Sequence, residues 1–307
     1  MLKKIIFMGT PLFAVPVLKA LYQNGYPISV VYTQPPKKSR RGMGLNATPV
    51  QKMCETLNIE FRTPNSLKNN KDEYDYLKKL EADIAIVVAY GQILPKEILS
   101  LTKKGFINIH GSLLPKFRGP APIQRSIMNL DKQTGISIMR IVEKLDTGPI
   151  CNSYSLNILE NENLESLSER LSILASEKIL DDIDAIFENK AVFKPQEEPK
   201  ATYANKILKS EAKINWLDKP KNIIGKINGL YPNSFFIYKG ERYKILRAEE
   251  SNKTGEIGHI LSDQFEVGCD GGAIKVLEIQ REGKRPQKIS EFLLGTKIKK
   301  GSNLKNA

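Results

Sequence analysis

Over the first half of the chain, compact apolar runs alternate with longer stretches in which apolar residues recur every three or four positions. Lys3–Met8 is one compact run and predicts a strand, closed by a Gly9-Thr10-Pro11 turn. Phe13, Val17, Leu18 and Leu21 follow at helical spacing as far as Gly25. Ile28–Tyr32 predicts a second strand, Pro49 opens a helix through Leu57, and Ile59–Phe61 predicts a brief third strand. Asp72–Leu80 has helical periodicity, and Asp83–Ala89 is almost continuously apolar, as a strand covered on both faces must be. Phe106–His110 and Gly135–Ile141 supply two more strands. The alternation predicts an α/β domain whose mostly parallel sheet carries helices on both sides, with ligands bound outside the carboxyl ends of its strands.

Glu165–Phe187 predicts a long amphipathic helix that ends a first domain at residues 1–188. Residues 189–205, rich in Pro, Lys and Glu and poor in periodic apolar positions, predict a linker. From residue 206 to 307 the texture changes. Short runs (Ser234–Tyr238, Tyr243–Ala248, Gly255–Leu261, Phe265–Cys269 and Ala273–Gln280) are separated by Gly, Asn and Asp turns, which predicts a small antiparallel barrel.

Charge changes this picture more than hydrophobicity does. The 307 residues carry a formal net charge of +13, and residues 206–307 hold 20 Lys and Arg against 12 Asp and Glu, so +8 of it belongs to the smaller domain. Such a field favours a polyanionic partner. Three cysteines, Cys54, Cys151 and Cys269, stand far apart without C-x-x-C spacing, which excludes a disulfide framework and a zinc signature and favours a reducing compartment. The opening Met1-Leu2-Lys3-Lys4 and its apolar run could pass for a secretory signal, but Gly9, Pro11 and Pro16 interrupt it. With no stretch long enough to span a membrane, the chain reads as cytoplasmic.

Asn108 and His110 lie two apart on one strand, so their side chains leave the same face near its carboxyl end. An amide donor beside an imidazole can polarise a carbonyl and stabilise an oxyanion. His110 and His259 are the only two histidines, and His259 lies in the small domain. Asp146, in Leu145-Asp146-Thr147-Gly148 after the strand ending near Ile141, would share that sheet edge and orient the ring. Taken singly, an Asp-Thr-Gly is a turn, and a single copy excludes the paired carboxylates of aspartic peptidases. Gly9-Thr10-Pro11 lacks the glycine pattern of a dinucleotide site and no phosphate-binding lysine loop occurs, so neither NAD nor ATP is expected, nor a metal. The basic, glycine-bearing segment Pro35–Gly44 reads either as a solvated loop or as a clamp on a phosphate backbone.

Together these motifs resemble the methionyl-tRNA formyltransferase family. Asn108 to Gln124 (NIHGSLLPKFRGPAPIQ) is similar to its signature, Leu145–Gly148 to its second motif, and Gly9–Pro11 and Ala89–Pro95 to its sheet-edge loops. The similarity continues through Tyr203–Trp216 and Asn228–Pro232, so it covers nearly the whole chain. The resemblance implies a Rossmann-like formyltransferase domain and an OB-like C-terminal barrel that tracks tRNA. It implies transfer of formyl from 10-formyltetrahydrofolate to the α-amino group of methionyl initiator tRNA by direct amine attack. Asn108, His110 and Asp146 would be the catalytic set, Ser112, Leu113, Leu114 and Pro115 would help bind the folate, and Arg40, Arg41 and Gly42 would meet the tRNA. Family members commonly carry Gly-Arg-Gly followed by basic residues, whereas here the basic charge comes earlier, in Arg40-Arg41-Gly42-Met43-Gly44. A compact two-domain chain with a polar linker reads as a monomer.

Three rivals share parts of this pattern. A sister folate-dependent formyltransferase acting on an amino sugar or purine precursor would keep Asn108, His110 and Asp146 but lack the basic loop and barrel. A hydrolase releasing formate from the same folate would have no use for the barrel. A tRNA-binding protein with an inactive α/β half would not keep all three residues.

Overall fold

The computed structural model describes residues 3–38 and 45–305. In chain order the strands and helices are β1 (Ile5–Gly9), α1 (Val15–Gln23), β2 (Ile28–Tyr32), β3 (Lys37–Lys38), β4 (Leu45–Asn46), α2 (Pro49–Leu57), β5 (Phe61–Arg62), α3 (Lys71–Leu80), β6 (Ile84–Val88), α4 (Lys96–Leu99) and β7 (Phe106–His110). There follow α5 (Pro122–Met128), β8 (Gln133–Arg140), β9 (Ile150–Asn157), α6 (Leu164–Phe187), α7 (Pro220–Gly229), β10 (Phe235–Tyr238), β11 (Glu241–Ser251), β12 (Glu266–Cys269), β13 (Gly272–Arg281), β14 (Gln287–Lys288) and α8 (Ile289–Gly295). These elements form two compact units. The first comprises residues 1–122, 134–156 and 168–204; the second comprises 123–133, 157–167 and 205–307, in each case over their described residues.

The first unit holds a seven-stranded sheet in the order β5-β2-β1-β6-β7-β8-β9. β2, β1, β6 and β7 run parallel, with Gly9 beside Val88 and Val87 beside Asn108. Every residue of β1 and β6 is buried, so both faces of these central strands are covered, as their unbroken apolar sequences require. On one face Ile6, Met8, Val30, Tyr32, Ala85 and Val87 pack with Leu77, Tyr90, Ile98 and Phe106. Burying an aliphatic or aromatic side chain of this size stabilises by about 1.5–3 kcal/mol, so this face alone outweighs any single polar contact. Helix starts follow local chemistry. The Thr48 hydroxyl accepts from Gln51 N at 3.0 Å ahead of Pro49, and Asn70 accepts from Glu73 N at 3.2 Å. α6 buries Leu171, Ala175, Ile179 and Ile183, one residue per turn.

The sheet is mostly parallel, as expected. β8 is antiparallel to β7, with Ile107 opposite Arg140 and His110 opposite Ser137, so the sheet is mixed. Two features of this unit depart from the sequence expectations. β9 was not anticipated: only Ile150, Cys151, Tyr154 and Leu156 of its eight residues are apolar, and most of its side chains are exposed or half-buried, as an edge strand allows. Residues 194–204, expected to act only as a linker, are hydrogen-bonded into this unit. Ile150 and Lys194 exchange backbone bonds of 2.8 and 2.9 Å, Arg118 N donates to Thr202 O at 2.9 Å, and Ala204 N donates to Arg118 O at 2.7 Å. The segment lacks apolar periodicity because its attachments are backbone groups.

In the second unit β10, β11, β13 and β12 form a curled antiparallel sheet, extended by β14 and consistent with a small barrel. Trp216, Phe236, Tyr243, Phe265 and Phe292 form its aromatic centre; Phe236 stacks on Tyr243 at 5.4 Å. Gly255–Leu261, expected as a strand, instead curls through Gly258 at φ +78° and contributes only isolated bridges, Ile260 to Val267 and His259 to Asn303. Within this unit α7 approaches the 124–130 stretch through Gly225 and Gly229; a Cβ on Gly229 would stand 2.9 Å from Gln124 O.

Candidate active site

Strand β7 brings the first two candidate residues together on one face. Asn108 is half-buried beside Met139 of β8, and its carboxamide hydrogen-bonds to none of the described residues, leaving two N–H donors for a ligand. His110 is buried, and its Nε2 lies 2.9 Å from the carbonyl oxygen of Phe117. A carbonyl only accepts, so Nε2 carries the proton and Nδ1 is the nitrogen left for chemistry. Nδ1 lies 3.7 Å from Oδ2 of Asp146, too long for a hydrogen bond in this geometry but close enough to share a proton after a small movement.

Asp146 does not arrive by the route its sequence position suggests. Because β8 runs antiparallel, its carboxyl end lies beside Ile107, at the opposite end of β7 from His110. The loop after β8 therefore folds back to deliver the carboxylate beside His110, at the edge the two residues share. That return depends on close approach. A Cβ on Gly148 would stand 1.8 Å from Arg140 O, a contact no side chain tolerates. Asp146 itself has φ +50°, an unusual backbone state held by its neighbours. Its Oδ2 accepts from Gly119 N at 2.8 Å, and its carbonyl accepts from Gln196 Nε2 at 2.8 Å.

Residues 117–119 thus meet both partners. Phe117 O holds the ring and Gly119 N holds the carboxylate, while Arg118 between them is fully buried. The Arg118 guanidinium donates to Gln196 Oε1 at 3.0 Å and to both Glu198 oxygens at 3.0 and 3.1 Å. Burial alone would lower the affinity of this guanidinium for its proton; the Glu198 carboxylate and Tyr203 hydroxyl overcome that and raise its pKa. Phe117 (φ +59°) and Gly119 (φ +119°) both take positive φ in the segment that presents these two backbone groups. Sequence reasoning passed over Phe117, Gly119 and Gln196. The first two sit inside the 108–124 motif, but their work is done by backbone atoms; Gln196 lay in a stretch read as a linker.

Of the four residues expected to meet the folate, two are buried and two are half-buried. Ser112 is fully buried with its hydroxyl donating to Lys116 O at 2.6 Å, and Leu114 is buried with its N–H bonded to Ser137 Oγ at 3.0 Å. The Ser137 hydroxyl donates in turn to Ser112 O at 2.8 Å, so the turn is braced from within. Leu113 and Pro115 are the half-buried members of the four. Leu12 and Ile93, on the loops after β1 and β6, expose apolar side chains at the carboxyl edge. Those loops are joined by Thr10 Oγ1 donating to Tyr90 O at 2.8 Å. Arg40, Arg41 and Gly42 lie outside the described residues. In the second unit a cavity of about 660 Å³ is lined by Tyr238, Lys239, Arg281, Lys284, Arg285 and Lys297 among others. Among the described residues no cluster of His, Cys, Asp or Glu is placed to hold a metal, and no helix is long and apolar enough to cross a membrane.

Comparison with known proteins bears on both units. The family described as formyl transferase matches residues 3–183, and the formyl transferase C-terminal domain matches residues 206–297. The chain is 61% identical over 309 residues to the methionyl-tRNA formyltransferase of Pelagibacter ubique (strain HTCC1062), covering all of both chains. It is 42% identical over 311 residues to that of Mesorhizobium japonicum, covering 97% of this chain and 98% of the relative. Among solved structures, a sugar 3N-formyl transferase, WlaRD, crystallised in the presence of dTDP and 5-N-formyl-THF, superposes with a TM-score of 0.66 at 20% identity, covering 93% of this chain and 100% of that one. HypX from Aquifex aeolicus in complex with tetrahydrofolic acid superposes with a TM-score of 0.67 at 14% identity over 98% of this chain and 49% of that one. At these identities the last two show a shared fold.

Proposed function

The chain belongs to the methionyl-tRNA formyltransferase family, and from that premise we propose that Asn108, His110 and Asp146 carry the transfer of formyl from 10-formyltetrahydrofolate to methionyl initiator tRNA. The neutral α-amine attacks the formyl carbon, forming a C–N bond and a tetrahedral oxyanion. Collapse breaks the bond to the folate nitrogen, which leaves as tetrahydrofolate after taking up the proton that the attacking amine gives up. The Asn108 carboxamide donates to the oxyanion. His110 has its Nε2–H engaged by Phe117 O, so it acts through Nδ1. A proton removed from the amine reaches that nitrogen, directly or through water, and the imidazolium so formed faces the Asp146 carboxylate. No covalent enzyme intermediate is required. The observation that carries this assignment is the convergence of His110 and Asp146 on the backbone of residues 117–119.

For the donor, the braced turn Ser112–Pro115 forms a wall, with Leu113 and Pro115 the members half-open to a folate and Ser112 and Leu114 acting through shape. For the acceptor, Arg40, Arg41 and Gly42 engage the tRNA, and the basic cavity of the second unit follows a phosphate backbone. Lys284 and Arg285 lining it suit that task. The protein acts as a monomer in the cytoplasm, where its acceptor is made and used.

Labelled 10-formyltetrahydrofolate, incubated with charged initiator tRNA in the presence of free methionine and an amino sugar, tests the whole reading. Label is expected on the tRNA alone. Label on the amino sugar would replace it with the sister-transferase reading, and label released as formate would replace it with a hydrolase.

A further inference from the structure

The loop that carries Asp146 is poorly tied down by its own sequence. Val142 to Leu145 are exposed, and the local contacts are Thr147 N and Oγ1 donating to Lys144 O at 3.4 and 3.0 Å. Among the described residues, besides the 3.7 Å approach of Asp146 Oδ2 to His110 Nδ1, the polar contacts from Val142 to Gly148 that reach beyond the loop come from three places. One is the exposed Lys96–Glu143 pair at 3.2 Å, and another is Gly119 N on the Asp146 carboxylate. The third is Gln196, whose Nε2 donates at 2.8 Å to both Asp146 O and Gly148 O.

We propose that Gln196 is a positioning residue for formyl transfer: it clamps the Asp146 loop at the distance from His110 that proton transfer requires. The proposal rests on Asp146 being the catalytic carboxylate. Both amide protons of Gln196 are spent on carbonyls two residues apart, which pins the loop on either side of Thr147. Its oxygen is held by Nε of Arg118, a fully buried side chain whose terminal Nη1 is fixed by Glu198. Gln196 is therefore not a surface amide that happens to reach a carbonyl. Arg118 is adjacent in sequence to Phe117 and Gly119, which hold His110 and Asp146 directly. One connected set of groups thus sets the ring, the carboxylate and the backbone behind the carboxylate. The stretch from Gln196 to Thr202, which composition presents as a spacer, is the outer wall of the site.

Gln196→Met keeps the length of the side chain and removes both the donors and the acceptor. Gln196→Glu keeps an oxygen for Arg118 but removes the donors. Both variants are expected to lower kcat by about 10–100-fold, the loss typical of a reacting group displaced by about an ångström. KM for tRNA and for folate should stay within about twofold, since both ends of the Gln196 amide are engaged within the protein, by Arg118 and by the carbonyls of Asp146 and Gly148. The loss should vanish when Gln196→Met is introduced into Asp146→Ala, compared by single-turnover transfer of labelled formyl, because no carboxylate then remains to be positioned. Wild-type kcat in a folded Gln196→Met protein, full activity in Gln196→Glu, or an equal further loss in the Asp146→Ala background would each overturn the proposal. Near-wild-type activity in Asp146→Ala alone, rather than the small residual rate on which that comparison is made, would instead overturn the catalytic assignment on which it rests.

Discussion

Replacing Gly148 by alanine places a methyl group 1.8 Å from the carbonyl oxygen of Arg140 and 2.9 Å from its carbonyl carbon. Ordinary contact begins at about 3.4 Å, so one side must withdraw by about 1.6 Å. Arg140 cannot supply that movement, because it belongs to β8 and pairs with Ile107 of β7. The loop must move instead, and Asp146 lies two residues away on it. The displacement strains the 2.8 Å bond from Gln196 to Gly148 O and the 2.9 Å bond from Arg140 N to Pro149 O. Overpacking of this kind costs about 1–3 kcal/mol of stability. A carboxylate shifted by an ångström or more relative to His110 costs about 10²-fold in rate. The expected outcome is a folded protein with a somewhat lower melting temperature, a kcat reduced about a hundredfold and KM values close to normal. Steady-state formylation kinetics measured beside a thermal melt decide the matter. A wild-type kcat, or a loss no greater than the unfolded fraction explains, would refute the reasoning that this close approach positions Asp146.

His110→Ala and Asp146→Asn should each cut transfer to a small residual rate while leaving tRNA affinity within a few-fold of normal; binding that fell in step with turnover would remove both from the chemistry. Lys284→Ala with Arg285→Ala should weaken tRNA binding and lower the slope of log affinity against log salt by about one for each phosphate no longer neutralised, and an unchanged slope would place the tRNA elsewhere. Glu266 is buried, which opposes its charge, yet hydrogen bonds from Ser251 and Ser262 and the Lys253 ammonium hold its carboxyl down at about 2. Its folded value lies below its ordinary value of 4.5, so its stabilisation is complete above 4.5 and is lost as pH falls towards 2. Denaturant melts should therefore show a difference between wild type and Glu266→Gln at pH 7 that shrinks through this window, and a constant difference would contradict the assignment. Phe236→Ala empties the aromatic centre of the second unit and should cost about 3–5 kcal/mol. Trp216, 6.1 Å from that ring and the chain's one tryptophan, reports the transition by fluorescence.

Much of the first unit was legible because its central strands are buried on both faces. Lys3–Met8, Ile28–Tyr32, Asp83–Ala89 and Phe106–His110 are apolar enough to announce themselves, and the observed strands overlap all four. β9 was not legible, since an edge strand satisfies only part of its backbone and buries little, so its sequence is free to be polar. Gly255–Leu261 has the composition of a strand, but Gly258 takes a positive φ that turns the chain out of the ladder. The polarity of β8 was beyond local reading as well, because an apolar run is the same read in either direction.

The candidate site divides along the same line. Sequence alone put Asn108 and His110 on one strand face, since a spacing of two in an extended chain admits no other result. It also supplied Asp146 as a turn residue, and the family relationship that carries the acceptor. Tertiary structure decided everything that depends on atoms distant in the chain. It set the antiparallel β8 that sends the loop the long way round, the 3.7 Å between Nδ1 and Oδ2, and the bond to Phe117 O that occupies Nε2 and leaves Nδ1 facing Asp146. It also turned a polar, proline-bearing stretch into the brace behind Asp146. The physical reason is common to all of these. Side-chain patterning records which face of an element is buried, whereas the site is held by carbonyls and amides, which every residue possesses and no sequence pattern marks.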